Sequence, residues 1–314
     1  MPTTKRSSEG ATLVAQACAN VQGFSDMYRR LKRRMHTSGR STSTLHNYAR
    51  HIAKMALHFN ELPTGLEEDQ IEDYLYLMQQ QHDTPSESYF KHTVYGLRFL
   101  FRLEGLDDKR ITLPAIERQE KLPDVLSKEE IKLLLKTPTL LKHRILMALL
   151  YDCGLRCLEV RSLQIKDIDL GRRMVHVRQS KGKKDRYVPI GKILADGIKK
   201  YIDAERPVNW LFNGKGDALI EGRKGGDFDS RYSQRGVQWA VKEAVKQAGI
   251  KKDVSVHTLR HTYATHLLED GTDIMTIQKL LGHESIETTM VYLHVAKPSE
   301  RPPVSPLDRL YGRP

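Results

Sequence analysis

Apolar residues recur at steps of three and four along much of this chain, as they do on one face of an α-helix. After Ser43 the repeat is carried by Leu45, Tyr48, Ile52, Met55 and Phe59. Residues 71–78 and 90–101 show the same repeat, and residues 24–35 add a further helical segment. The pattern therefore predicts four helices in roughly the first hundred residues.

One stretch departs from the helical period and is typical of strands. Residues 164–170 end at a glycine, residues 174–178 alternate apolar with polar side chains, and residues 186–190 follow the basic turn SKGKKD. Short runs between turns predict a three-stranded antiparallel sheet. Helices resume beyond it, and glycines are expected at their carboxyl ends: Gly249, Gly271 and Gly282. The predicted fold class is mainly α with a small three-stranded antiparallel sheet.

The length of the chain, 314 residues, predicts two domains at about 150 residues per domain. Pro114 and Pro123 lie in a segment without helical period, and Ser127 with Glu130 forms a capping box just beyond it. These signals predict the following divisions: a flexible N-terminus at 1–20, a helical domain at 21–105, a linker at 106–124, a second domain at 125–296 and a tail at 297–314.

Charge and cysteine content narrow the class of protein. The formal net charge of +12 favours a polyanionic partner, although it also serves solubility alone. The sparse cysteines, Cys18, Cys153 and Cys157, indicate a reducing compartment and form no zinc-site pattern. No apolar run approaches the ~18 residues of a membrane span, and the first ten residues lack the apolar core of a secretory signal. We expect a cytoplasmic protein that does not enter a membrane.

Cations without any acid fill the segment from Met27 to Thr44: Arg29, Arg30, Lys32, Arg33, Arg34 and Arg40. Charge runs are usually solvated helix faces. This run is more one-sided than solubility requires, so it predicts a surface that contacts phosphates.

A second cluster of polar residues lies at positions 257–292. His257 and His261, four apart on a helix, would face a common zinc ion in an HExxH pattern, but Thr258 stands where that pattern has its glutamate. We interpret His261 as structural, and His266 and His294 likewise. Tyr292, taken alone, carries no signal of reactivity.

Two arginines lie among apolar neighbours and are expensive to bury without an anion. Arg156 sits beside Leu155, and Arg260 beside Leu259. An internal ion pair between Arg156 and Glu159 is one explanation. A bound phosphate is the other, because a guanidinium fork matches phosphate oxygens.

Four separated motifs, in order, are YDCGLRCLEV (151–160), QSKGKKDRYVPI (179–190), HTLRHTYATHLLEDGTDIMTIQKLLGH (257–283) and ETTMVYLH (287–294). Together they resemble the tyrosine recombinase family, the phage integrases and Xer-type enzymes. The resemblance spans nearly all of residues 125–296. It implies a tyrosine-recombinase catalytic domain there and, less specifically, a helical core-binding domain at 21–105 that completes a clamp on DNA.

The resemblance also assigns roles to residues. Arg156, Arg260 and His283 match the groups that hold the scissile phosphate, with Glu159 supporting Arg156. Lys181 matches the hairpin lysine that protonates the leaving oxygen, although Lys183 and Lys184 are neighbours with the same chemistry and are candidate DNA contacts. His257 matches the histidine that assists proton transfer, and Tyr292 the nucleophile.

The partners and cofactors follow from the same resemblance. The family acts on double-stranded DNA recombination sites as a homotetramer, here expected to assemble through the tail, and the chemistry uses neither metal nor other cofactor. The ending SPLDRL is similar to that of integron integrases, which favours a mobile-element integrase or transposase over Xer-type chromosome or plasmid resolution. A non-catalytic DNA-binding protein and a type IB topoisomerase are the competing hypotheses. Action on DNA predicts association with the nucleoid.

Overall fold

The computed structural model describes residues 12–81, 87–109, 111–112, 122–178, 185–214 and 231–297. It divides into two compact units, Met1–Glu120 and Lys121–Pro314. The division falls inside the predicted linker, and the five-part domain scheme itself stays a prediction. Most of that linker and the tail beyond Lys297 lie outside the described residues. Among the described residues, no helix has both the length and the apolar character needed to cross a membrane.

The first unit contains helices whose bounds are α1 Leu13–Asn20, α2 Phe24–Thr37, α3 Thr42–Phe59, α4 Glu68–Gln81 and α5 Glu87–Leu103. Helices α2 to α5 are the four that the apolar repeat predicts. Their apolar faces form one core, to which α2 contributes Phe24, Met27, Leu31 and Met35, all buried. Burial of these faces is the main source of stability of such helices.

Helix α1 differs from the expectation of a flexible segment through residue 20. The Thr12 side chain accepts a hydrogen bond from the Ala15 N–H at 3.2 Å and caps the helix. Ala17 is fully buried in the core of the unit. The sequence pattern misses this helix because two turns with small side chains carry little periodicity.

The second unit contains the remaining elements: α6 Lys128–Lys136, α7 Leu141–Asp152, α8 Cys157–Arg161, β1 Ile168–Asp169, β2 Met174–Val177, β3 Arg186–Pro189, α9 Lys192–Glu205, α10 Gln234–Gln247, α11 Val256–Glu269, α12 Ile274–Leu281 and α13 Glu287–Met290. A short 3₁₀ helix, Val291–His294, follows α13. The capping box of Ser127 and Glu130 begins α6 as predicted. Gly249, Gly271 and Gly282 have positive φ at helix ends, as expected.

The predicted antiparallel sheet is present with the order β1-β2-β3. Val175 pairs with Val188, and both side chains are buried on the core face. The first strand is shorter than the predicted 164–170, because a 3₁₀ helix at Ile165–Asp167 precedes it. The Asp167 carboxylate accepts a hydrogen bond from the Gln164 N–H at 2.9 Å and thereby turns the chain away from an extended path.

The fold class is therefore as predicted, with a longer helical N-terminus and a shorter first strand. The segment between β2 and β3, which the sequence predicts as a turn, lies outside the described part of the chain, and with it Lys181, Lys183 and Lys184. His176 on β2 stacks on Tyr187 of β3, with ring centroids 4.5 Å apart. Its Nε2 lies 3.0 Å from Asp185 Oδ2. These contacts join the two strands next to the turn.

Candidate active site

Glu159 lies at the centre of a group of arginines in the second unit. The chain enters α8 at Arg156, whose backbone N–H donates to Glu159 Oε2 at 2.8 Å. The Arg156 guanidinium donates from Nη1 to Glu159 Oε1 at 2.9 Å. The internal ion pair considered from the sequence is thus present. It holds the Arg156 side chain in one orientation and leaves it 23% exposed.

Arg186 at the start of β3 is a further member that sequence reasoning missed. Its Nη1 and Nη2 donate to the two oxygens of Glu159, each at 2.9 Å. Its Nε donates to the Leu280 carbonyl at 2.8 Å. Arg186 therefore ties the strand after the basic turn both to Glu159 and to the end of α12. Arg186 follows several other basic residues in the sequence, and nothing there marks it out from them. The sequence therefore contains no signal for this role.

Arg260 reaches the same carboxylate from α11. Its Nη1 lies 3.9 Å from Glu159 Oε2, and its side chain is only 4% exposed. It donates to the Gly154 carbonyl and to the Leu281 carbonyl, each at 2.6 Å. Burial lowers the pKa of Arg260 to about 10, assisted by the charge of Arg156, yet the group stays cationic at neutral pH.

One carboxylate thus faces three guanidinium groups. Burial by itself would raise the pKa of Glu159. The hydrogen bonds and charge of Arg186, the Arg156 N–H and the charge of Arg260 outweigh it and lower the pKa to about 2. The cluster therefore carries a net positive charge, which suits it to an anion that brings compensating charge.

Gly154 permits the close packing behind this cluster. Its φ is +56°, in the left-handed region. A Cβ atom on Gly154 would lie 2.4 Å from Tyr263 Cδ1 and 2.9 Å from Leu281 Cδ2. The backbone between α7 and Arg156 can follow this path only with glycine at the position.

Replacing Gly154 with alanine is expected to destabilise the second unit by about 2–5 kcal/mol. About 1–2 kcal/mol comes from the left-handed conformation, and overpacking against Tyr263 adds roughly 1–3 kcal/mol. The urea midpoint of unfolding measures the change. Gly249→Ala is the matched control, since Gly249 has φ +67° with no atom within 4 Å of the added Cβ. Equal midpoints for the two variants would contradict the packing argument.

Tyr292 lies in the 3₁₀ helix at the end of the described chain, and it is 1% exposed. Its hydroxyl is 3.1 Å from His261 Nδ1. The ring of His283 stacks nearly parallel to that of Tyr292, with centroids 6.5 Å apart. His283 Nδ1 in turn lies 2.9 Å from the hydroxyl of the buried Thr289. Burial raises the pKa of Tyr292, opposed by the charges of Arg260 and Arg156.

The histidines around Tyr292 are held neutral at physiological pH. Burial lowers the pKa of His283 to about 3, with contributions from Arg260 and Arg156. Burial and the same two arginines also lower the pKa of His257. Burial, His257 and Arg260 lower the pKa of His261. A neutral imidazole can accept or donate a proton, whereas an imidazolium can only donate.

The structure therefore brings together five residues predicted from the sequence: Arg156, His257, Arg260, His283 and Tyr292. Lys181 lies outside the described residues. The arrangement combines cationic donors for an anion with neutral imidazoles beside a buried phenol. His261 Nδ1 contacts the Tyr292 hydroxyl, and its interpretation as a structural histidine stays a prediction. His266 agrees with that interpretation, since its Nδ1 lies 2.9 Å from the Tyr151 hydroxyl.

The basic residues of the first unit are less one-sided than the sequence suggests. Arg29 pairs with Asp26 at 3.2 Å, and Arg30 donates two hydrogen bonds to Glu104 at 3.0 and 3.1 Å. Asp26 lies just outside the acid-free window, and Glu104 is far away in sequence. The other members, Lys32, Arg33, Arg34 and Arg40, are exposed. DNA contact by this surface stays a prediction.

Metal binding was one alternative for the histidines. Within the described ranges, no group of three or more His, Cys, Asp or Glu side chains is arranged to hold a metal ion. His257 and His261 are instead arranged around Arg260 and Tyr292, as described above.

The fold and this cluster define a class: mainly helical proteins with a cluster of arginines around one glutamate beside a buried tyrosine. Residues 124–298 match the phage integrase family. The chain is 41% identical over 204 residues to the tyrosine recombinase XerA of Thermococcus kodakarensis, covering 64% of this chain and 69% of the relative. It is 32% identical over 290 residues to a tyrosine recombinase of Thermosipho africanus, covering 88% of this chain and 95% of the relative.

A solved structure shares the fold. It is the XerH site-specific recombinase bound to a palindromic difH substrate, with a TM-score of 0.65 and 20% identity over 91% of each chain. The chain belongs to the phage integrase family and is a tyrosine recombinase, an enzyme of site-specific DNA recombination.

Proposed function

We propose that this recombinase cleaves and rejoins DNA strands through a covalent bond between Tyr292 and a DNA phosphorus. The observation that carries the proposal is that the charges of Arg156 and Arg260 both act on the buried Tyr292 phenol.

In the first step the Tyr292 oxygen bonds to phosphorus, and the bond from phosphorus to the 5′-oxygen breaks. The products are a 3′-phosphotyrosine and a free 5′-hydroxyl. Arg156, Arg260 and His283 stabilise the negative charge on the non-bridging oxygens. Loss of one such preorganised donor typically reduces the rate on the order of 10²–10³-fold. Glu159 keeps Arg156 in place, Lys181 protonates the 5′-oxygen and His257 assists proton transfer.

In the second step a 5′-hydroxyl of the partner DNA attacks the phosphotyrosine and exchanges the strands. Covalent catalysis conserves the phosphodiester energy in the protein–DNA bond, so the reaction needs neither ATP nor a metal ion. A bound hydroxyl is favoured over water because it is already in position. The participants are two double-stranded recombination sites and a homotetramer joined through the C-terminal tail, in the cytoplasm at the nucleoid.

The biological reaction we favour is integration or transposition of a mobile element, with Xer-type resolution of chromosomes or plasmids as the alternative within the family. The +12 net charge supports binding to the DNA backbone, with Arg29, Arg30, Lys32, Arg33, Arg34, Arg40, Lys183 and Lys184 as candidate contacts. Flanking inverted repeats or an attachment site beside the gene would distinguish the two.

Covalent capture tests the proposal without a known site. The protein is incubated with a pool of randomised duplexes, protein-bound DNA that survives denaturant is recovered and amplified, and the selected duplex is rebuilt with a nick. A denaturing gel is expected to show an adduct that peptide mapping by mass spectrometry places on Tyr292. Salt-sensitive DNA binding without any adduct would support a non-catalytic protein. Relaxation of supercoiled DNA by monomers would support a topoisomerase.

A further inference from the structure

The Tyr292 hydroxyl lies at hydrogen-bond distance from a histidine outside the predicted catalytic set. His261 Nδ1 lies 3.1 Å from this oxygen, and the two rings are tilted by 54° with centroids 5.7 Å apart. His261 lies on α11, one turn beyond His257 and next to Arg260. The nucleophile therefore faces His261 at hydrogen-bond distance.

A phenol must lose its proton as its oxygen bonds to phosphorus. Burial raises the pKa of Tyr292, so spontaneous ionisation of the phenol is disfavoured and a nearby acceptor is required. A general base must lie within about 2.6–3.2 Å of the proton donor, a range that the His261 contact satisfies. For this role the imidazole must be neutral with its proton on Nε2, since Nδ1 then accepts from the phenol.

The surroundings of His261 keep it in that neutral form until substrate binds. Burial is the main cause of its lowered pKa, and its neighbours His257 and Arg260 on the same helix lower it further, Arg260 through its permanent positive charge. His283 beyond α12 and Tyr292 in the 3₁₀ helix are the other titratable groups that face it. A bound phosphate adds negative charge to the pocket and therefore favours the imidazolium that the reaction would create.

We propose that His261, rather than His257, accepts the phenolic proton of Tyr292 during strand cleavage. The inference rests on the proposed phosphotyrosine chemistry. As the Tyr292 oxygen bonds to phosphorus, its proton moves to His261 Nδ1, while the 5′-oxygen leaves and takes a proton from the general acid assigned to Lys181. In the rejoining step the His261 imidazolium returns the proton to the departing Tyr292 oxygen.

The test uses the selected nicked duplex in two forms. One has the natural phosphodiester, and the other has sulfur in place of the 5′-bridging oxygen, a leaving group that needs no proton. With His261→Asn we expect adduct formation to be slower by about 10²–10⁴-fold on both duplexes. The rate of the variant should keep rising with pH beyond the point at which the wild-type rate levels off, because hydroxide replaces the missing base.

His266→Asn is the matched control, on the same helix but bonded to Tyr151, and it should form adduct at the wild-type rate. If His261→Asn does not fold, His261→Gln is measured with the same duplexes. A wild-type or faster rate in the His261 variant would overturn the proposal, as would rescue by the sulfur substrate. Absence of any adduct with wild-type protein would instead refute the phosphotyrosine chemistry.

Discussion

Replacing Tyr292 with phenylalanine is expected to abolish the covalent protein–DNA adduct while leaving the fold and DNA binding intact. The substitution removes only the hydroxyl, and the ring remains in its cluster with Tyr263, Ile277 and Leu281. The lost hydrogen bond to His261 costs about 0.5–1.5 kcal/mol of stability. Denaturing gels of the selected nicked duplex measure the adduct, and binding in solution as a function of salt measures DNA affinity.

The control for this variant is Tyr263→Phe, which removes a hydroxyl from a neighbouring buried tyrosine of the same cluster. It should retain adduct formation. An adduct that persists in Tyr292→Phe would identify another nucleophile and contradict the proposed chemistry. Loss of DNA binding together with the adduct would show that the hydroxyl serves the complex rather than the reaction.

Replacing Glu159 with glutamine is expected to lower the free energy of unfolding of the second unit by about 3–5 kcal/mol at neutral pH, because it leaves buried cations without their carboxylate. Arg186 and Arg260 are 9% and 4% exposed at their side chains, so water does not replace the lost charge. Urea unfolding at fixed ionic strength measures the change. Asp270→Asn, which removes the carboxylate of the exposed pair with Lys128, should leave unfolding unchanged.

The pH dependence of the unfolding free energy provides a second test of the role of Glu159. The pKa of Glu159 is about 2 in the folded protein against an ordinary value of 4.5. Its contribution to stability is therefore fully present above pH 4.5 and is lost as the pH falls toward 2. The difference in unfolding free energy between wild type and Glu159→Gln should shrink over this interval. A difference that does not change with pH would show that Glu159 is not ionised in the folded state.

Several local features were predictable because their causes are local. The apolar repeat identifies α2 to α5, and Ser127 and Glu130 satisfy each other's backbone groups at the start of α6. Gly282 ends α12 because the left-handed conformation there is cheap only for glycine. Helix α1 and the 3₁₀ turn before β1 were missed. Helix α1 has only two turns, which give too short a pattern to recognise. Before β1, the hydrogen bond from the Gln164 N–H to the Asp167 carboxylate competes with strand pairing.

The residues of the site also divide into those that the sequence predicted and those that only the structure revealed. The motifs around Arg156, His257, Arg260, His283 and Tyr292 indicated a recombinase from sequence, because each motif is contiguous and their order is specific. The role of Arg186 depends on Glu159, 27 positions away, and that of His261 on Tyr292, 31 positions away. No periodic pattern in the sequence predicts contacts between residues so far apart along the chain.

The sequence by itself determined the class of enzyme, the helical character and the identity of the nucleophile candidate. Only the tertiary structure decided that Glu159 joins three arginines and that His261 lies at hydrogen-bond distance from the Tyr292 hydroxyl. The physical reason is that helix period, caps and glycine conformations arise between residues close in the chain. Charge pairing and proton transfer require atoms within about 3–4 Å, which only the packing of distant segments establishes.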